Sequence, residues 1–178
     1  MLLVAVSASG CGGSSAKKTT AKTTPESYVG QVCTSIGEWL RAVESGSAQI
    51  GEELHPGSTP VHAKQALQTL IRNSVADSER VVAGLQAAGT PNVSGGQQIA
   101  SQLVSSFQQA TDDLRSVEAQ VNALPTNDPS AFLTAAKRVG GSVQSSLANI
   151  GSGLSTLRSS ELQRAATQSP ACKNLGQA

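Results

Sequence analysis

The sequence predicts an all-α fold, an up-down antiparallel four-helix bundle that follows a disordered N-terminal tether. Three observations predict it. Apolar residues recur at alternating steps of three and four over long stretches, the spacing that lines them up along one stripe of a helix. Short breaks containing Pro and Gly divide those stretches. Large side chains are also scarce: Phe107, Phe132, Tyr28 and Trp39 are the complete aromatic set of the 178-residue chain. Ala, Ser, Gln, Gly and Thr stand in their place, so the core must be thin and long. Helices packed closely through small residues, with Leu and Val in the seam, meet that demand.

The first helix is expected over about 27–54, with Val29, Val32, Ile36, Trp39, Val43, Gly46 and Ile50 inward. His55-Pro-Gly-Ser-Thr-Pro60 ends it. The second, over about 61–88, turns Leu67, Ile71, Val75, Ser78, Val82 and Leu85 inward and stops at Gly89-Thr-Pro-Asn92. The third, over about 94–124, has the cleanest stripe: Ile99, Leu103, Phe107, Ala110, Leu114, Val117, Val121 and Leu124. Asp128 then suits an N-cap and Pro129 the first helical position. A fourth stripe follows through Phe132, Ala136, Val139, Val143, Leu147, Ile150, Leu154 and Leu157, fading by about Gln168. Helices of this length span about 40 Å, and short connections between them favour antiparallel neighbours. Gly140-Gly141 and Gly151-Ser-Gly153 mark either a close helix contact or a bend.

Met1 to Ala8 form an apolar run too short to span a bilayer, which takes about 20 apolar residues. They suit the hydrophobic part of a secretory signal peptide, one expected to begin further upstream because the usual basic start is absent. Ala8-Ser9-Gly10-Cys11 then resembles the lipobox of bacterial lipoproteins: small residues fit the peptidase, and the thiol of Cys11 carries the lipid. Ala8 stands where that motif usually has Leu. The chain from Cys11 to Glu26 reads as a flexible tether, since GGSSAKKTTAKTTPE cannot bury enough apolar surface to offset ordering entropy. Its Lys17, Lys18 and Lys22 suit either simple solubility or anionic head groups. The organisation expected is therefore a signal peptide over 1–10, a lipidated tether over 11–26 and a helical domain over 27–178.

With Cys11 carrying lipid, Cys33 and Cys172 remain, an even count in an oxidising compartment. An up-down bundle brings its start and finish to the same end, where Cys33 and Cys172 would lie. One disulfide is expected, with two buried free thiols as the alternative. Val32-Cys33, Trp39 and the closing Pro170-Ala-Cys-Lys-Asn-Leu175 together resemble small secreted lipoproteins of high-GC Gram-positive bacteria. The resemblance implies an envelope location and a paired Cys33–Cys172, and it implies no activity.

Thirteen Lys and Arg against twelve Asp and Glu leave a formal charge of +1, no basis for a nucleic-acid partner. The scarcity of aromatic rings argues against a carbohydrate platform or a base-stacking surface. His55 and His62 flank a turn with Glu52 and Glu53 upstream, but their spacing fits no dedicated metal site. Asp112, Asp113, Asp77 and Glu79 are expected to face water. The serines lack a G-x-S-x-G elbow, and Gly95-Gly96 lacks the Lys of a phosphate loop. Trp39 reads as core.

The function expected is that of a non-enzymatic interaction or structural module of the cell envelope, held at the outer face of the membrane through the lipid on Cys11 and serving an envelope protein partner. It needs no cofactor or metal. The alternative is a module for a lipid or small apolar ligand, held in a gap left by the small inward residues Gly46, Ser78 and Ala110.

Overall fold

The computed structural model describes residues 22–53, 57–155 and 159–177, with side chains for all of these except 146–155 and 176–177. Cys11, His55, Leu157 and most of the expected tether lie outside the described residues, as do the side chains of Leu147, Ile150 and Leu154. Among the described residues the fold is mostly helical. A two-residue strand β1 (Lys22–Thr23) leads to α1 (Pro25–Glu53), α2 (Pro60–Ala88) and a second short strand β2 (Thr90–Pro91). Then come α3 (Gly96–Asn122), α4 (Pro129–Ser155), α5 (Ser160–Gln168) and α6 (Pro170–Lys173), closed by a 3-10 turn over Asn174–Gln177.

Helix starts follow local chemistry. Thr59, extended at φ −71° and ψ 152°, accepts a hydrogen bond from the His62 amide, and Pro60 supplies the first helical φ of α2. Asp128 Oδ1 accepts from the amides of Ser130 and Ala131 at 2.8 and 3.2 Å, satisfying two of the free donors at the start of α4. Asp128→Ala is expected to cost about 1 kcal/mol, readable as a shift in the urea midpoint at unchanged slope. Thr24 caps α1 in the same manner, receiving the Ser27 amide on its hydroxyl at 3.3 Å. Residues 22–26 therefore belong to the folded domain, earlier than the expected tether boundary. They are held there by long-range bonds: the Thr23 hydroxyl donates to the Ala88 carbonyl at 2.9 Å, and the Asn92 amide to the Thr23 carbonyl at 2.8 Å. Lys22 pairs with Thr90 and Thr23 with Pro91 in parallel register.

The fourth stripe departs from expectation as well. It is not one helix to Gln168: α4 ends at Ser155 and α5 starts afresh at Ser160. Ser159 is extended, and its hydroxyl accepts from the Leu162 amide at 3.4 Å. It also donates to Glu161 Oε2 at 2.8 Å, which lowers the Glu161 pKa. A serine that caps a new helix competes with continuation of the old one.

Buried side chains form three clusters along the length of the domain. At one end the starts of α1 and α3 meet the end of α2 through Tyr28, Val29, Ala100 and Ala88, with Ala165 of α5. Trp39, Val81, Leu85, Leu103, Phe107 and Ala110 fill the middle. At the other end the starts of α2 and α4 meet the end of α3 through Ala63, Ile71, Val117, Val121, Leu124, Phe132 and Val139. Lys64 reinforces this end by donating to the Leu124 carbonyl at 3.0 Å. The expected stripe of α3 is buried from Leu103 to Leu124, with Ile99 half-buried. In α2 the fully buried residues include Val81 rather than the expected Val82, because that helix packs on both α1 and α3 and buries a wider arc than one stripe.

Tyr28, the only tyrosine, is 3% exposed, and burial raises the pKa of its phenol. A phenol whose folded pKa lies above its unfolded value of 10.0 favours the folded state below that pH, and the contribution is lost as pH rises through the folded pKa. Stability is therefore expected to fall above about pH 10, with a smaller fall in Tyr28→Phe. Phenolate absorbance during alkaline denaturation reads the ionisation directly.

Glycines separate into two kinds. A Cβ on Gly84 of α2 would lie 2.3 Å from Ser35 Oγ and 3.1 Å from its Cβ, so α1 and α2 cross here without room for a methyl group. Gly84→Ala is expected to destabilise by about 1–3 kcal/mol and to be partly rescued by Ser35→Gly. Gly140 and Gly141 have nothing within 4 Å of an added Cβ, so they make no close helix contact. Gly140→Ala is expected to stabilise by about 0.5–1 kcal/mol, since only helix propensity changes. Thermal melts of the three variants check both signs.

Candidate functional site

Cys33 and Cys172 are joined by a disulfide with a Cα–Cα separation of 5.0 Å, across 139 residues of chain. It fastens α6 to α1. Val29, Val32 and Cys33 of α1 pack with Leu162, Ala165 and Ala166 of α5 and with Cys172. Leu175 continues the cover over α1, its Cδ2 lying 3.1 Å from where a Cβ on Gly37 would be. A surface hollow of about 420 Å³ opens beside the bond, bordered by Thr34, Arg41, Glu44 and Asn174.

The acidic residues singled out in the sequence do not converge. Asp112 is exposed and accepts from Arg115 at 2.6 Å; Arg115 also reaches Glu79 across to α2 at 2.7 Å. Glu79 first, then Asp112, raises the Arg115 pKa in this exposed network. Surface pairs of this kind contribute little to stability. Asp113 accepts from Gln109 at 3.0 Å, and Asp77 pairs with Arg80. His62 is exposed at the start of α2, and no group of three or more metal-binding side chains occurs among the described residues.

Trp39 is in the core, as its place on the stripe predicts. It is 8% exposed and meets Phe107 edge to face, with centroids 5.9 Å apart and planes at 86°. Its indole Nε1–H makes no hydrogen bond among the described residues. Sequence reasoning missed that donor, since a period places a residue inward but does not supply a partner for its polar atom. A cavity of about 40 Å³ lies against Trp39, lined also by Ser35, Glu38, Asp77, Arg80 and Val81. Asp77 and Arg80 also border a groove of about 380 Å³ between α1 and α2, where Ser45, Gln49, Thr69 and Asn73 provide hydroxyls and amides. Gly46 lies in this groove, and the gap expected at it is taken up by Leu70, whose Cδ1 lies 2.7 Å from the position of an added Cβ. Ser78 and Ala110 are each 2% exposed, enclosed by core neighbours.

Comparison with protein-family models, with characterised proteins and with solved structures finds no match to this chain.

Proposed function

We propose that the chain is an exported bacterial lipoprotein, anchored through a lipid on Cys11 at the outer face of the cell membrane. Its domain, an up-down antiparallel four-helix bundle, acts there as a non-enzymatic interaction or structural module for another envelope protein. The observation that carries the interaction reading is where apolar surface remains exposed. The large hydrophobic residues exposed among the described ones are Val61, at 50%, and Leu133, at 60%. Val61 opens α2 and Leu133 lies in the first turns of α4, at the end of the domain that holds Ala63 and Phe132. Lys22, where the chain arrives from Cys11, pairs with Thr90 past the opposite end of α2. A 29-residue helix separates the two ends by about 43 Å. On this reading a tether at one end holds the exposed apolar residues away from the membrane, where a partner protein can reach them.

The Cys33–Cys172 bond supports the address, because disulfides persist in oxidising compartments. Among the described residues no helix is long and apolar enough to cross a membrane. Two experiments separate anchoring from interaction. Feeding cells an alkyne fatty acid should label the wild-type protein and leave Cys11→Ser unlabelled; equal labelling of both would refute lipidation at Cys11. A photo-crosslinking residue at position 133 should trap one partner in intact cells, whereas the same residue at exposed Gln144 should not. If neither position traps a protein, the interaction reading fails whatever the outcome at Cys11.

A further inference from the structure

The first and fourth helices carry opposite charge. α1 holds five Glu against Arg41 alone, whereas α4 holds Lys137 and Arg138 and no acidic residue along its length. Among the described residues α4 pairs with α3, and α1 with α2 and the C-terminal segment. Glu44 and Lys137 are exposed and form no ion pair among the described residues, so neither charge is met within one chain. Their heights along the domain agree. Glu44 lies nine residues before the end of α1 and Lys137 eight beyond the start of α4, both helix ends being at the same end of the domain. At about 1.5 Å per residue the two stand nearly level. Ala48 and Leu133, five before and four beyond, are level in the same way, and both are exposed. On each helix the charge and the apolar residue are four positions apart, which puts them on one face. Gly140 follows on the α4 face, with open space where a Cβ would be.

We propose that the partner served by the Leu133 face is a second copy of this chain, in a two-fold dimer whose axis runs along the helices. Rotation about such an axis leaves heights unchanged, so Leu133 of each copy meets Ala48 of the other, and Lys137 meets Glu44. Both contacts then occur twice. The complement that the α4 face calls for, an acidic helix with a small apolar residue one turn along, is present on the chain itself at the matching height. The same axis brings both Lys22 residues to one side, so two copies anchored in one membrane pair without either turning over. The inference rests on the reading of exposed Leu133 as part of an interaction surface.

Sedimentation equilibrium of the full chain, at millimolar concentration and low ionic strength, is expected to give the mass of two chains. Added salt should return it toward one as the exposed pairs are screened. Lys137→Glu and Glu44→Lys, each alone, set like charges opposite one another at both contacts and should weaken association by about tenfold or more. An equal mixture of the two variants should recover the dimer, because each contact of the mixed pair again joins opposite charges. Both changes fall at exposed positions, and circular dichroism checks that each variant keeps its helices. A mass of one chain for the wild type overturns the proposal. So does a dimer that either reversal leaves intact, or a mixture that stays monomeric. Masses that grow beyond two chains overturn the closed two-fold pairing. A different protein trapped at position 133 in cells, with the pure chain monomeric, refutes the second copy and leaves the partner reading standing.

Discussion

Replacing Cys33 and Cys172 together by serine is expected to lower the stability of the folded domain by about 5 kcal/mol, the largest effect of any change considered for this protein. The bond closes a loop with a sequence separation of 139 residues. In the chain-entropy account, removing so long a cross-link returns about 5 kcal/mol of freedom to the unfolded chain. For a domain of this size that corresponds to a fall in Tm of roughly 10–20 °C. The loss should also be uneven. Among the described residues α5, α6 and the closing turn pair with α1, whereas α2 pairs with both α1 and α3, and α3 also with α4. Hydrogen exchange in the double variant should show amides of α5 and α6 unprotected while those of α3 remain slow. A Tm within a few degrees of wild type would mean that non-covalent packing alone holds the C-terminal segment on α1.

Phe107→Ala should cost about 3–5 kcal/mol, the range for truncating a large buried aromatic. Phe107 is 1% exposed, at the centre of the middle cluster with Trp39, Val81, Leu85, Leu103 and Ala110. Two losses combine: the transfer free energy of the ring and the cavity left between three helices that cannot fully close on it. The edge-to-face contact with Trp39 adds a smaller third part. Phe107→Leu keeps most of the volume and should cost about 1–1.5 kcal/mol. Urea unfolding followed by the fluorescence of Trp39 measures both variants with a reporter in contact with the site. The alanine variant should also show red-shifted native emission as water reaches the indole. A cost below about 1 kcal/mol for alanine would mean that the middle of the core is not tightly packed.

The two effects draw on different states of the chain. The disulfide acts chiefly by restricting the unfolded ensemble, whereas Phe107 acts through native packing. Their sites are also distinct, since Cys33 and Cys172 pack with the end cluster and Phe107 lies in the middle one. The triple variant should therefore lose close to the sum of the separate costs, and a shortfall would reveal coupling between the clasp and the core.

Much of the helical framework was legible in the sequence because its causes are local. A stripe of apolar residues every three or four positions needs only its own segment to be recognised, and α3 follows its stripe from Leu103 to Val121. The starts at Pro60 and Pro129 follow from Pro and a capping oxygen within a few residues. Cysteine pairing was legible for another reason: once Cys11 is read as a candidate lipid carrier, one pair remains in the chain. The unpartnered Trp39 donor was not legible. Trp39 could be read as core, but its unpartnered N–H and the neighbouring Asp77–Arg80 pair arise where two helices meet.

The sequence by itself determined a helical chain, the turns that divide it, the alanine- and serine-rich thinness of its core and the two cysteines free to pair. Tertiary structure alone decided which arc of α2 is buried, that Gly84 is where Ser35 passes, and that residues 22–24 join the folded domain through Ala88 and Asn92. It also decided that the last stripe is broken, so that α5 and α6 pack on α1. The physical reason is the range of the forces involved. Periodicity, capping and proline act over one or two turns of helix, whereas burial and close approach depend on neighbours tens of residues away, whose side chains set the crossing point.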